Sequence, residues 1–134
     1  MGIDIQWFVY ERIIKANISG DITIEDLESS SNTIIALIEE SDAPLVHIIT
    51  DETDIVSLPT SLKLYSDAVE FMGHDRMGWL LMYPSTNQMS KFLSSTVAGI
   101  AKARYRRFES LEESLRFLVS VDSTLPSIEE MLER

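Results

Sequence analysis

The sequence predicts a single-domain α/β protein in which a mixed, mostly parallel five-stranded sheet carries helices packed on it, in the order ββαβαβαβα. Three observations predict it. Five stretches are rich in β-forming or apolar residues, and after the first two each is separated from the next by apolar residues at helical spacing. The inner stretches show little alternation, as strands covered by helices do. A chain of 134 residues with 45% hydrophobic and 25% charged residues is an ordinary globular domain in size and composition. The domain spans about residues 1–122, and 123–134 form a C-terminal tail with a short helix.

Each element has its own signal. Ile5, Trp7 and Val9 alternate with Gln6, Phe8 and Tyr10, and a second β-rich run from Ile13 to Ile18 closes at Ser19-Gly20, so the two predict a hairpin. Thr23 with Asp26 forms an N-cap box, and Ile24, Leu27, Ile34, Ile35 and Ile38 recur at helical spacing opposite Glu25, Glu28 and Glu39, giving a helix over about residues 24–41. Pro44 to Thr50 is the central strand. Pro59 opens a second helix through Leu62, Tyr65, Val69 and Met72, which Gly73 ends. Trp79 to Tyr83 is the next strand. Ser85 with Gln88 predicts the cap of a third helix through Met89, Phe92, Leu93, Val97 and Ile100. Arg104 to Phe108 is the last strand, its charge marking a sheet edge. Ser110 with Glu113 caps a fourth helix through Leu111, Leu115, Leu118 and Val119, and Ile128 to Leu132 is a final helical turn.

Composition excludes several functions. The chain has no cysteine, so zinc–thiolate sites, thiol nucleophiles and disulfides are absent. Eleven basic against 22 acidic residues give a formal charge of −11, which repels phosphate backbones and anionic lipid surfaces, so no nucleic acid is expected. No apolar run approaches the roughly 20 residues of a membrane span. Met1 to Tyr10 carries no export signal, and a cytoplasmic location is the expectation. Glycines at 2, 20, 73, 78 and 99 build neither a dinucleotide turn nor a phosphate loop, and no Gly-x-Ser-x-Gly elbow exists. No cofactor and no catalytic residue is assigned.

Candidate residues remain. Polar segments follow two inner strands, Asp51-Glu52-Thr53-Asp54 and Pro84-Ser85-Thr86-Asn87, where open α/β sheets gather ligands. Asp51 and Asp54, with His74, have the oxygen and nitrogen donors for a hard cation, but the spacing departs from the paired-aspartate pattern and reads as turn formation and helix capping, so no metal is assigned. His47, inside the central strand, reads as a hydrogen-bonded core histidine, and His74 as a helix-end residue. Lys102, Arg104, Arg106 and Arg107 read as a solvated edge strand, the alternative being a grip for phosphate or an acidic partner. Ser57, Thr60 and Ser61 stand at the entrance to the second helix, where capping and phosphoryl binding compete as readings.

The strand order, this hydroxyl-bearing entrance, the closing segment Arg107-Phe108-Glu109-Ser110-Leu111-Glu112-Glu113-Ser114-Leu115-Arg116-Phe117-Leu118 and the stretch Ala68 to Tyr83 resemble the SpoIIAA-like proteins, related in fold to the STAS domains of anti-sigma-factor antagonists. The likeness covers roughly residues 5–120. Antagonists place a phosphorylated serine in an Asp-Ser-Ser-Gly-type turn. Here Ile55 to Ser61 has neither the aspartate nor the glycine, so the resemblance implies the STAS/SpoIIAA-like fold rather than the phosphoswitch. It also implies a non-enzymatic, regulatory protein-interaction module, with Ser57, Thr60, Ser61, Lys63 and Tyr65 around the second helix as partner-binding or phospho-site candidates. The alternative is a carrier or sensor of a small apolar, lipid-like ligand, lined by Tyr65, Trp79, Met82 and Phe92. The protein partner is unknown, and the edge strand with the aromatic hairpin admits a homodimer.

Overall fold

The structure, a computed structural model, describes residues 2–134. Strands β1 (Ile3–Val9) and β2 (Ile13–Asp21) form the antiparallel hairpin, turning at Glu11, whose φ is 62°. Helix α1 (Ile24–Glu40) follows, then β3 (Val46–Ser57), α2 (Leu62–Ala68), a 3-10 turn (Glu70–Gly73), β4 (Met77–Tyr83), α3 (Gln88–Ala101), β5 (Arg104–Arg107), α4 (Leu111–Val121) and α5 (Ile128–Leu132). In space the strands lie in chain order, β1-β2-β3-β4-β5, with the pairs from β2 onward parallel.

That order fixes where the helices go. Successive parallel strands placed side by side in one direction, joined by right-handed crossovers, put every connecting helix on the same face. Accordingly Leu27, Ile34 and Ile38 of α1, Tyr65 of α2, Phe71 and Met72 of the 3-10 turn, and Leu93 and Val97 of α3 share one core with Ile14, Ile18, Ile48, Leu80 and Met82 of the sheet. Helices α4 and α5 come after the last strand and return across the opposite face. There Leu115, Leu118 and Met131 pack on Ile13, Ile49 and Leu81. The tail beyond residue 122 thus contributes a fully buried side chain, Met131, to the second core.

The local signals act as the sequence predicts for two helices. Thr23 caps α1 in a reciprocal box with Asp26, and Ser110 accepts the Glu113 N–H at the start of α4. The end of α1 is held by Arg76, whose guanidinium donates to the carbonyls of Ile38, Ser41 and Ala43 at 2.8, 2.7 and 3.1 Å.

Three elements depart from expectation. The second helix begins after Ser61 rather than at Pro59, and it runs only to Ala68 before tightening into the 3-10 turn, because Ser61 takes the cap. Asn87, not Ser85, caps α3 by accepting the Ser90 N–H at 2.9 Å. The central strand does not end at Thr50. It continues through the acidic segment to Ser57, still paired with β2, because Asp51 to Ser57 find strand partners in Asn17 to Asp21. Among the described residues no helix is long and apolar enough to cross a membrane.

Candidate functional site

The extended β3 creates an asymmetric sheet end. On its β4 side pairing stops at Asp51 opposite Tyr83, whereas on its β2 side it reaches Ser57 opposite Asp21. From Thr53 to Ser57 the β4-side edge therefore has no strand partner among the described residues, and Thr53, Asp54, Val56 and Ser57 are exposed. Val56 on β3 is 68% exposed and, adjacent to Ile55, which packs on the α1–α3 layer, faces the other side of the sheet; on that layer Leu64 of α2 at 51% and Phe92 of α3 at 53% are also exposed. Helices α2 and α3 pack against each other.

Behind this edge lies a buried ionic cluster. Continuing the alternation of β3, Ile48, Thr50 and Glu52 face the α1–α3 layer, as do Tyr105 and Arg107 of β5. Arg107 donates from Nη1 to Glu52 Oε1 at 2.9 Å and from Nη2 to Ser94 Oγ at 3.0 Å. Its Nη2 also donates to Ser90 Oγ and its Nε to the Tyr105 hydroxyl, while the Ser90 hydroxyl donates to Glu52 Oε2. The two charged side chains are 8% and 3% exposed, so each carries the other's charge out of contact with water. The edge-strand reading holds for Arg106, which lies over the Phe117 ring, but not for Arg107.

Glu52 and Tyr65 also line the cavity between sheet and helices, together with Met82, Leu27, Ile34 and Phe71. The space amounts to about 40 Å³, room for a few waters, against the roughly 300–1,000 Å³ of a small-molecule pocket. A lipid-sized ligand does not fit it. Of the four residues predicted to line one apolar site, only Tyr65 and Met82 line this cavity. Trp79 faces the other side of the sheet, edge-on to Phe117 at 4.8 Å, because alternation along β4 separates it from Met82, and Phe92 points to solvent.

The predicted partner-binding residues divide in the same way. Tyr65 is 4% exposed and belongs to the core, and burial, reinforced by the Glu52 carboxylate, pushes its phenol above its ordinary range, so the expectation that it lies on an exposed surface is corrected. Lys63 is exposed and reaches Asp67 at 3.1 Å. Ser57 belongs to β3 rather than to a helix entrance, and its hydroxyl donates to Asp21 Oδ1 at 2.7 Å. Ser61 Oγ accepts the Leu64 N–H as the cap of α2, while Thr60 is exposed in the connection. With seven residues, α2 is too short to build a substantial dipole at that cap. Asp51, Asp54 and His74 do not converge. Asp51 accepts the Tyr83 hydroxyl and the Thr53 N–H, Asp54 is exposed, and His74 Nε2 lies 3.5 Å from Glu39 beyond the other end of β4.

His47 is a core residue, 2% exposed, with both ring nitrogens engaged. Nδ1 accepts the Trp79 N–H at 3.0 Å, which leaves the proton on Nε2, donated to Asp122 Oδ2 at 2.9 Å. Burial holds its pKa below the usual 6.5 despite the Asp122 carboxylate, since a second ring proton would face the Trp79 N–H. Partial burial works against ionised Asp122 too, but the Thr124 hydroxyl, His47 and the Thr124 N–H outweigh it and hold the carboxyl at about 2. Both folded values lie below the unfolded ones, so both groups stabilise the fold at neutral pH and lose that contribution on acidification. The His47 part is complete above about pH 6.5 and declines below it, and the Asp122 part declines from about 3.8 toward 2. Urea midpoints measured from pH 8 to 4 are expected to fall below pH 6.5, and a His47→Gln variant, less stable at pH 8, is expected to show a flatter profile over that window. An equally steep profile in the variant would contradict the assignment.

No family model matches the chain, and no curated protein matches it. Among solved structures it is similar to an uncharacterised protein of the DUF3478 family with a SpoIIAA-like fold from Shewanella loihica PV-4, with a TM-score of 0.62 over 87% of this chain and 92% of that one, at 13% identity. The fold of this chain is SpoIIAA-like, as the resemblance in its sequence implies.

Proposed function

We propose that the protein is a non-enzymatic interaction module that binds an extended segment of a partner protein along the open edge of β3, from Thr53 to Ser57. The observation that carries the reading is the overhang itself: an unpaired strand edge with exposed Val56 upon it. A strand edge supplies backbone hydrogen bonds to an added strand, and flanking apolar side chains supply selectivity. Asp54 on the edge, in a chain of formal charge −11, favours a basic segment. The buried Glu52–Arg107 cluster supports the edge from behind rather than offering a reacting group, since its polar atoms are engaged with one another. The fold's likeness to regulators that act by partner capture accords with a regulatory role.

A photo-reactive amino acid at Val56, expressed in cells of the natural host, tests this. The expected result is a discrete adduct with another protein, lost when Asp54→Lys reverses the charge on the edge and absent when the probe is moved to exposed Ile100 on α3. Equal labelling from both positions, or none from Val56, would contradict it.

A further inference from the structure

At the other end of the sheet, on the face covered by α4, an open crevice of about 360 Å³ lies between β3, β4, β5 and the segment after α4. Leu45, Trp79 and other apolar side chains form its walls, with buried His47 at its floor and Arg12, Arg104 and Asp122 around it. Its parts follow from register. Trp79 and Arg104 are directly paired residues of β4 and β5, so their side chains share one face, and Ile13↔His47 pairing brings the neighbouring Arg12 to the same end.

The charges do not cancel. Asp122 Oδ2 receives Arg12 Nη2 at 3.0 Å and His47 Nε2 at 2.9 Å, and Oδ1 receives the Thr124 N–H and hydroxyl, so the carboxylate is fully engaged. Arg12 is thereby offset, and its Nε–H is buried without a hydrogen-bond partner. His47 is held neutral by the contacts described above. That leaves Arg104, which forms no ion pair among the described residues and donates only from Nη1 to the Met77 carbonyl, at 3.3 Å. A guanidinium with free N–H groups beside an indole, in a chain of formal charge −11, is a local site for an anion with an apolar body.

We propose that this crevice binds a small organic carboxylate, its carboxylate on the Arg104 fork and its apolar part against Trp79. The site is separate from the β3 edge and does not depend on that reading. The chain has two tryptophans, so a Trp7→Phe variant leaves Trp79 as the single indole reporter. Its fluorescence is titrated with phenylacetate, with benzyl alcohol as the uncharged analogue and with inorganic phosphate. Phenylacetate is expected to shift the Trp79 signal saturably, benzyl alcohol not to, and Arg104→Gln to weaken the effect by about tenfold or more at unchanged circular dichroism. Three results would overturn the proposal: no saturable shift with phenylacetate, an equal response to benzyl alcohol, or unchanged binding in Arg104→Gln. A response to phosphate alone would also overturn it, by assigning the crevice to a bare oxyanion.

Discussion

Replacing Arg107 by methionine is expected to destabilise the protein by about 3–5 kcal/mol, the cost of leaving a buried carboxylate without its counter-charge. Glu52 is 4% exposed and would keep only the Ser90 hydroxyl. Ser94, Ser90 and Tyr105 would lose the guanidinium that they share. The double variant Glu52→Leu, Arg107→Met replaces the pair with apolar side chains of similar reach and is expected to recover most of the loss, since exchanging a buried ion pair for packed apolar groups is often neutral or stabilising. Urea unfolding of wild type, the two single variants and the double completes the cycle. Strictly additive losses would show that the two residues do not act as a pair.

Gly78→Ala is expected to be the most damaging single-methyl change in the chain. A Cβ at position 78 would sit 2.4 Å from His47 Nδ1 and 2.7 Å from its Cε1, inside the ring's own volume. The imidazole is buried and held at both nitrogens, so it has no free rotamer to move into. Overpacking costs about 1–3 kcal/mol, and stranding the Trp79 N–H adds about 1–3 kcal/mol more. A loss near 3 kcal/mol lowers Tm by roughly 10 °C in a domain of this size. Gly99→Ala is the control, for nothing lies within 4 Å of its Cβ position and it sits in α3, where alanine favours the helix. Equal melting temperatures for Gly78→Ala and wild type would contradict the close approach of β4 to the His47 ring.

The layered fold was legible because it rests on local periodicity. The alternation of Ile5, Trp7 and Val9, the heptad-like spacing of Leu27, Ile34 and Ile38, and the Thr23 and Ser110 caps each act within a few residues. The site was less legible because it rests on pairing between distant segments. Asp51-Glu52-Thr53-Asp54 has turn-like composition, and only the presence of β2 alongside turns it into strand. Extending the period-two pattern of Ile48 and Thr50 by one step would have put Glu52 on the buried face, and the same step from Tyr105 reaches Arg107. That is the one sequence signal for the ionic cluster, and composition masks it. The link from His47 to Asp122 spans 75 positions and leaves no local trace. Trp79 and Met82 share an apolar residue class, but their odd separation along a strand places them on opposite faces. Tyr65 stands at helical spacing with Leu62, Val69 and Met72, so the face that carries it is the apolar one packed on the sheet, and the partner-binding expectation conflicts with that periodicity.

The most direct test of the β3 edge is hydrogen exchange across Thr53–Ser57 in the free protein and in its complex with the protein captured through Val56. The account predicts rapid exchange of the unpaired edge amides in the free protein and marked protection in the complex. Protection confined to α4 and α5, with Thr53–Ser57 unchanged, would contradict it.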